Sequence, residues 1–201
     1  NDKEDEFSLL QIKPMTINSF NRSIIDNDIN SKSLFCKSDI VLGEGLIDDI
    51  SHIVYVDIDN FDISQSNMIA YQIEELNKSL GPKNPYLLIG PGRWGSSDQW
   101  LGIPTSWEQI NNAKIIMELG IEGLEPDPSF GSHFFQNLTS LHLGYFTFNK
   151  KQTKNDINWD ILKETTTDTE KSTNYVKLLK MKNPLKCIID GTSGKGVILK
   201  K

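Results

Sequence analysis

The sequence lacks the features that mark membrane-spanning and conventionally secreted proteins. It has no run of about 18 uncharged apolar residues, which is the length that a membrane-spanning helix needs. Residues Asn1 to Glu6 are polar and acidic, the opposite of the basic and then apolar start of a signal peptide. We therefore expect a chain that neither spans a membrane nor is secreted by the conventional route.

Arginine, cysteine and net positive charge are also scarce. Only Arg22 and Arg93 are arginines, and the formal net charge is −6, so the sequence argues against a nucleic-acid partner, which would need a basic face. Cys36 and Cys187 lie in different segments without a CxxC motif. Their separation favours reduced thiols and a cytoplasmic location over a disulfide. The first residue is Asn1 rather than Met, as in a fragment or processed piece of a longer protein.

Enough apolar sequence is present for a folded core. The chain has 201 residues, 37% of them hydrophobic, which corresponds to one large domain or two small ones. Strand and helix patterns alternate in the middle of the chain, and strand patterns cluster towards its end. The predicted strands are 7–14, 34–41, 50–56, 86–89, 113–117, 144–148, 175–181, 185–189 and 196–199. One predicted helix begins near Ser64 and ends at Gly81-Pro82, and a short one begins after Ser106. Two more predicted helices cover residues 132–141 and 159–162. This order predicts an α/β fold, or a mixed α+β variant of it, with helices flanking a central mixed sheet.

A glycine-rich segment follows the predicted buried strand 86–89. Its glycines allow backbone amides to approach a ligand closely, and Arg93 offers a planar fork for an anion. The carboxyl ends of strands are also where α/β sheets usually bind ligands. The predicted ligand-binding residues of this loop are Gly90, Gly92, Arg93, Trp94, Gly95, Ser96 and Asp98.

The loop has two alternative interpretations besides an anion site. Its GxGxxG spacing does not predict a dinucleotide site, because that fingerprint opens a long helix and Gly102 and Pro104 would break one here. The structural alternative is a tight loop in which Trp94 and Trp100 fill a core.

A second candidate site surrounds His133. The residue falls in the first turn of a predicted helix, near Gln136 and Asn137. A histidine there could bind an anion, transfer a proton or accept a phosphoryl group, which makes His133 the candidate catalytic residue and the two amides candidate ligand contacts. The alternative is a histidine whose ring is hydrogen-bonded within a helix-packing site.

The sequence predicts no metal site. Asp57, Asp59 and Asp62 form a short acidic segment, but the glycine and terminal glutamate of a calcium-binding loop are missing. A solvated acidic turn is the favoured interpretation.

Three motifs resemble the C-terminal region of phosphoenolpyruvate synthase and pyruvate phosphate dikinase-like proteins. They are Gly90 to Asp98 (GPGRWGSSD), Trp100 to Pro104 (WLGIP) and Gly131 to Leu138 (GSHFFQNL). The resemblance spans residues 34–148, over half of the chain.

A fourth motif resembles a strand from the upstream part of those enzymes. Leu10 to Pro14 is similar to the Gln-x-Arg-Pro strand that closes their ATP-grasp domain, in which Gln11 and Lys13 would stand near the metal and the nucleotide phosphates. Lys13 keeps the charge of the family's arginine and loses its fork. The resemblance implies that residues 1–30 are this closing strand plus a linker, and that residues 31–201 are a C-terminal α/β domain. It also implies a parent protein that uses ATP and magnesium, held mainly by an upstream ATP-grasp domain.

The resemblance does not carry the phosphohistidine role to this chain. Ser132 and His133 match two letters of the family's Thr-Ser-His motif, but Phe134 and Phe135 replace the small residues that follow. The leading hypothesis is an accessory domain of an ATP-dependent, kinase-like phosphotransferase that binds a phosphate- or carboxylate-bearing ligand through Gly90 to Ser96. The main alternative is a non-catalytic docking module that orients the ATP-grasp domain. A stand-alone hydrolase using His133 is weaker, because no Ser or Cys nucleophile motif supports it.

Overall fold

The computed structural model describes residues 33–96, 98–126, 142–168 and 171–201. The strands are β1 (Leu34–Ser38), β2 (Val41–Leu42), β3 (Glu44–Val56), β4 (Tyr86–Pro91), β5 (Arg93–Trp94), β6 (Gly102–Ile103), β7 (Ala113–Leu119), β8 (Gly144–Phe148), β9 (Thr166–Thr167), β10 (Val176–Asp190) and β11 (Lys195–Lys200). The helices are α1 (Ser66–Leu80), α2 (Trp107–Ile110), α3 (Lys150–Asn155) and α4 (Asp160–Lys163). Within these ranges, nine strands form one mixed sheet in the order β1-β11-β10-β3-β4-β7-β8-β2, with β9 beside β10. This arrangement confirms the predicted fold class, a mixed sheet with flanking helices.

The middle of the sheet is parallel. Neighbouring strands β3, β4, β7 and β8 all run in one direction. α1 links β3 to β4, and α2 links β4 to β7, as parallel pairs require a crossover connection. β4 is buried at all six positions, which is why its sequence reads as a continuous apolar run.

α1 begins two residues later than the predicted cap at Ser64. Residues Ile63–Gln65 form a short 3-10 turn, because the Asp62 side chain accepts a hydrogen bond from the Ser64 backbone N–H (2.9 Å). The helix then runs from Ser66 and ends at Gly81, whose φ of +64° suits glycine. The predicted end of the helix is therefore confirmed and its predicted start is wrong.

The strands near the end of the described chain are fewer and longer than predicted. One strand, β10, covers both predicted strands 175–181 and 185–189. Its pairing with β3 shifts register between Lys180 and Leu185, so a bulge absorbs Asn183 and Pro184 without ending the strand.

Each face of the sheet carries its own apolar core. On one face, α1 and α2 pack over Val54, Leu88 and Ile116. On the other face, α4 and β1 contribute to a core around Ile53, Ile89, Met117 and related side chains. Because side chains alternate along a strand, Trp94 belongs to the first of these cores, whereas Tyr55 and Trp159 pack against the second.

The two cysteines lie on either side of one residue. Cys36 of β1 and Cys187 of β10 both pair with Ile198 of β11, from opposite sides. Two strand spacings separate them, roughly 10 Å, which is beyond the reach of a disulfide. Both thiols are free and fully buried, as the predicted reduced state requires.

The segment that contains β1 and β2 joins the two ends of the sheet. β1 pairs with β11 at one end of the strand order, and β2 pairs with β8 at the other. The Ser38 hydroxyl donates to the carbonyl of Thr147 (2.9 Å), and the Thr147 N–H donates to the carbonyl of Ile40 (3.0 Å). The sheet therefore curls back on itself, and this one segment supplies the strands at both ends of the strand order.

Two predicted elements lie outside the described residues, the strand at 7–14 and the helix at 132–141. No helix in the described ranges is long and apolar enough to cross a membrane.

Candidate functional site

The parallel strands end at a common edge of the sheet, and polar segments follow them there. Asp57 follows β3, Gly92 and Arg93 follow β4, Glu122 lies just beyond β7, and Lys150 lies just beyond β8. The crevice at the carboxyl ends of strands is the usual ligand site of α/β sheets. This edge is therefore the candidate functional region.

The glycine-rich loop is non-helical and firmly anchored. Gly90 and Pro91 complete β4, the chain turns at Gly92 (φ +67°), and Arg93 and Trp94 form β5 beside β6. The Gly92 N–H donates to the carbonyl of Leu119 (2.9 Å). The non-helical geometry predicted for this loop is observed, and it excludes the long helix that a dinucleotide fingerprint would open.

Trp94 ties the loop to β7. Its indole Nε1–H donates to the carbonyl of Met117 (3.0 Å), and its backbone N–H donates to Oε1 of Glu118 (2.9 Å). The ring is 3% exposed and packs where Gly90 has no side chain. Trp100, by contrast, is 59% exposed. The structural interpretation of the loop is therefore correct for Trp94 and wrong for Trp100.

Glu118 is a buried carboxyl that sequence reasoning missed. Burial raises its pKa to about 7, although the Tyr145 hydroxyl, the Trp94 N–H and the charge of Arg93 each lower it. Oε2 has no hydrogen-bond partner among the described residues. The available signal was a single glutamate in the otherwise apolar end of strand 113–119.

The remaining loop residues shape the turn that follows. Asp98 accepts a hydrogen bond from the Trp100 N–H (2.9 Å), and the Ser96 hydroxyl accepts one from the Asp98 N–H (3.1 Å). Gly95 has a φ of +76°. Arg93 is half-buried, and its charge reaches Glu118.

Several predicted site residues lie outside the described residues. They are Gln11, Lys13, His133, Gln136 and Asn137. We expect Arg93 and His133 to face one cavity, and this expectation stays a prediction, as do the nucleotide contacts implied for Gln11 and Lys13.

The acidic segment after β3 builds turns. Asp57 accepts hydrogen bonds from the Asp59 N–H (3.2 Å) and the Asn60 side chain (2.8 Å), and Asp62 caps the next turn. Across the described ranges, no three His, Cys, Asp or Glu side chains group in a way that could hold a metal ion.

A cavity of about 470 Å³ opens at the same sheet edge, on the face opposite Trp94. Its apolar wall includes Tyr55 and Trp159, which pack against the core of that face. Its charged lining residues are Asp57, Asp59, Glu122, Lys150, Lys154 and Lys163. Sequence reasoning missed this cavity, because its lining comes from four separate segments of the chain.

In comparisons with known proteins, no family model, no curated protein and no solved structure matches the chain.

Proposed function

We propose that this chain is an accessory C-terminal domain of a phosphoenolpyruvate synthase or pyruvate phosphate dikinase-like phosphotransferase. In this proposal the domain acts in the cytoplasm and binds a phosphate- or carboxylate-bearing small molecule through the loop from Gly90 to Ser96. ATP and magnesium belong to the upstream ATP-grasp domain of the parent protein, which is the partner domain. The isolated chain binds and orients its ligand and is not itself catalytically competent.

The observation that carries the proposal is the anchoring of Arg93. The residues on both sides of it donate backbone hydrogen bonds to β7 or its side chain, Gly92 to Leu119 and Trp94 to Glu118. A guanidinium on such a fixed loop loses little conformational entropy when it binds a planar anion. The loop also lies at the sheet edge where ligands of α/β proteins bind.

The proximity of Arg93 to Glu118 favours a second candidate function, the docking module. If the carboxyl of Glu118 is the main counter-charge of Arg93, the pair and the buried Trp94 form a structural support. The loop would then stabilise the surface that contacts the partner domain, and it would bind no small-molecule ligand.

A ligand titration separates the two functions. We would follow the His133 ring signals by NMR in the 201-residue chain, with inorganic phosphate and with phosphoenolpyruvate as probes. The variants are Arg93→Ala, Arg93→Lys, which keeps the charge and loses the fork, and Lys182→Ala as the matched control at an exposed cation.

The accessory-domain function requires saturable, ligand-dependent changes at millimolar probe concentrations, with the pKa of His133 raised by the bound anion. Arg93→Ala should weaken binding about tenfold or more, Arg93→Lys less, and Lys182→Ala not at all. Absence of any ligand-dependent change in the unsubstituted chain would leave the docking module as the better account.

A further inference from the structure

The 470 Å³ cavity on the opposite face is a second candidate binding site, and it does not depend on the proposed function. Its volume lies within the range of small-molecule sites, and it opens at the carboxyl ends of the parallel strands. The question is what kind of molecule its walls would accept.

The cavity carries unlike charges on its two sides. Asp57 and Asp59 follow β3, whereas Lys150 and Lys154 lie beyond the end of β8. Three strand spacings separate β3 from β8 in the sheet, so the ends of these two strands are roughly 14 Å apart along the sheet.

Some of these charges already have partners. Lys150 pairs with Glu122 (3.2 Å), and Lys163 pairs with Asp160 (3.2 Å). Within the described ranges, no ion pair within 4.0 Å involves Lys154 or Asp59, and both residues are exposed. Lys154 and Asp59 are thus a cation and an anion of the cavity that remain available to a ligand.

The acidic side is electrostatically distinct. Burial raises the pKa of the Tyr55 hydroxyl, and the charges of Asp57 and Asp59 raise it further. The charges of both carboxylates therefore act at the wall of the cavity that Tyr55 forms. A cationic group of a ligand would be stabilised there.

The wall between the charged sides is largely apolar. Trp159 and Leu162 line it together with Tyr55, and the Trp159 indole is fixed by a hydrogen bond from Nε1 to the carbonyl of Thr153 (2.9 Å). Thr153, another lining residue, is 5% exposed, and its hydroxyl has no hydrogen-bond partner among the described residues. An aromatic or aliphatic group between two charged ends would cover this wall.

We propose that this cavity binds a small zwitterion with an apolar middle, of about dipeptide size. Its ammonium group lies beside Asp59 and Asp57, its carboxylate lies beside Lys154, and its apolar side chain packs on Trp159 and Tyr55. A dipeptide of about 7 Å is long enough to place its two charged ends beside different lining residues of the cavity.

The test uses phenylalanylglycine with free termini as the probe, titrated into the 201-residue chain at pH 7. Its N-acetylated form lacks the cation, and its C-amidated form lacks the anion. Binding is followed by the Nε1–H signal of Trp159 in NMR spectra, assigned with Trp159→Phe. The variants are Lys154→Gln and Asp59→Asn, and the matched controls are Lys182→Gln and Asp49→Asn at exposed positions that do not line the cavity.

We expect the free dipeptide to bind with a dissociation constant in the millimolar range and either blocked form to bind about threefold or more weakly. Lys154→Gln should make the dissociation constants of the free and amidated dipeptides equal. Asp59→Asn should make those of the free and acetylated dipeptides equal. The two control variants should change neither difference. No saturable shift up to about 10 mM would overturn the proposal. Equal binding of all three probes would also overturn it, because the charges would then play no part.

Discussion

The backbone N–H of Trp94 donates a hydrogen bond to Oε1 of Glu118 at 2.9 Å. This bond joins the glycine-rich loop after β4 to a buried carboxyl near the end of β7. It leaves Oε2 of Glu118 without a hydrogen-bond partner in the described part of the chain. The stability of the loop is thereby linked to the protonation of one side chain.

The first prediction concerns the pH dependence of stability. The pKa of Glu118 is about 7 in the folded protein, against 4.5 for an ordinary glutamate. Between these values the folded protein holds a proton that the unfolded chain has released. The free energy of unfolding should therefore fall as pH rises from about 4.5 to 7, by an amount on the order of 3 kcal/mol.

Urea denaturation of Glu118→Gln at a series of pH values checks this prediction. The amide keeps an oxygen acceptor for the Trp94 N–H and cannot ionise, so the variant should gain stability relative to the native chain as pH rises. Glu75→Gln, at an exposed glutamate, is the matched control and should follow the native chain. Parallel pH profiles for Glu118→Gln and the native chain would contradict the account.

The second prediction concerns the contact between Gly90 and Trp94. A Cβ at position 90 would overlap the Trp94 ring and lie 3.1 Å from Cδ1 of Ile103. Gly90→Ala should therefore lower the free energy of unfolding by about 1–3 kcal/mol, because the ring must move. The measurement is urea denaturation, with NMR of the Trp94 indole signal.

The smaller ring of Trp94→Phe provides the control for this effect. The double variant Gly90→Ala/Trp94→Phe should lose less stability than the sum of the two single variants, because the overlap is partly removed. Strict additivity would show that the Trp94 ring is not what restricts position 90.

The third prediction concerns the two cysteines. Both are fully buried, and burial raises the pKa of each thiol, so neither should exist as a reactive thiolate in the folded protein. Ellman's reagent should modify Cys36 and Cys187 at least about a thousandfold more slowly in buffer than in concentrated urea. Ser64→Cys adds an exposed thiol as a positive control, and it should react immediately. Rapid modification of the unsubstituted chain in buffer would contradict the buried positions.

The fourth prediction follows from the proposed function. Because the proposed assignment gives this chain only the closing strand of an ATP-grasp domain, isolated residues 1–201 should neither hydrolyse ATP nor form phosphoenolpyruvate. Phosphate release and ³¹P NMR with ATP, magnesium and pyruvate would measure both reactions. The prediction would be wrong if the chain catalysed either reaction with magnesium and if Arg93→Ala or His133→Ala abolished that activity.

Sequence patterns predicted the parts of the fold that local signals define. The apolar run at Tyr86 and the capping residue Ser106 predicted β4 and α2 at nearly their observed positions. At the end of the chain a single strand, β10, continues where two were predicted, because a bulge accommodates Pro184. The helix α1 is capped at Gln65 rather than at the predicted Ser64, since Asp62 accepts a hydrogen bond from the Ser64 N–H and forms a separate turn.

The candidate site was less predictable for a physical reason. The loop around Arg93 is contiguous in sequence, so its glycines and arginine were visible. Glu118 differs from an ordinary glutamate because it is buried, which raises its pKa, and because it accepts a hydrogen bond from Trp94, which is distant in sequence. The 470 Å³ cavity combines strand ends, a loop and two short helices, and no spacing along the chain indicates that these segments meet.

The segment that joins β11 to β8 has a consequence for synthesis on the ribosome. β1 is the first strand of the described chain to be translated, but its partner β11 is the last. The parallel strands and α1 can pack while translation continues, whereas the curled sheet cannot close until β11 has left the exit tunnel. During that interval Phe35 and Cys36, both fully buried in the finished fold, have no β11 to pair with. We therefore expect chaperones to bind and protect the nascent chain mainly at this early strand.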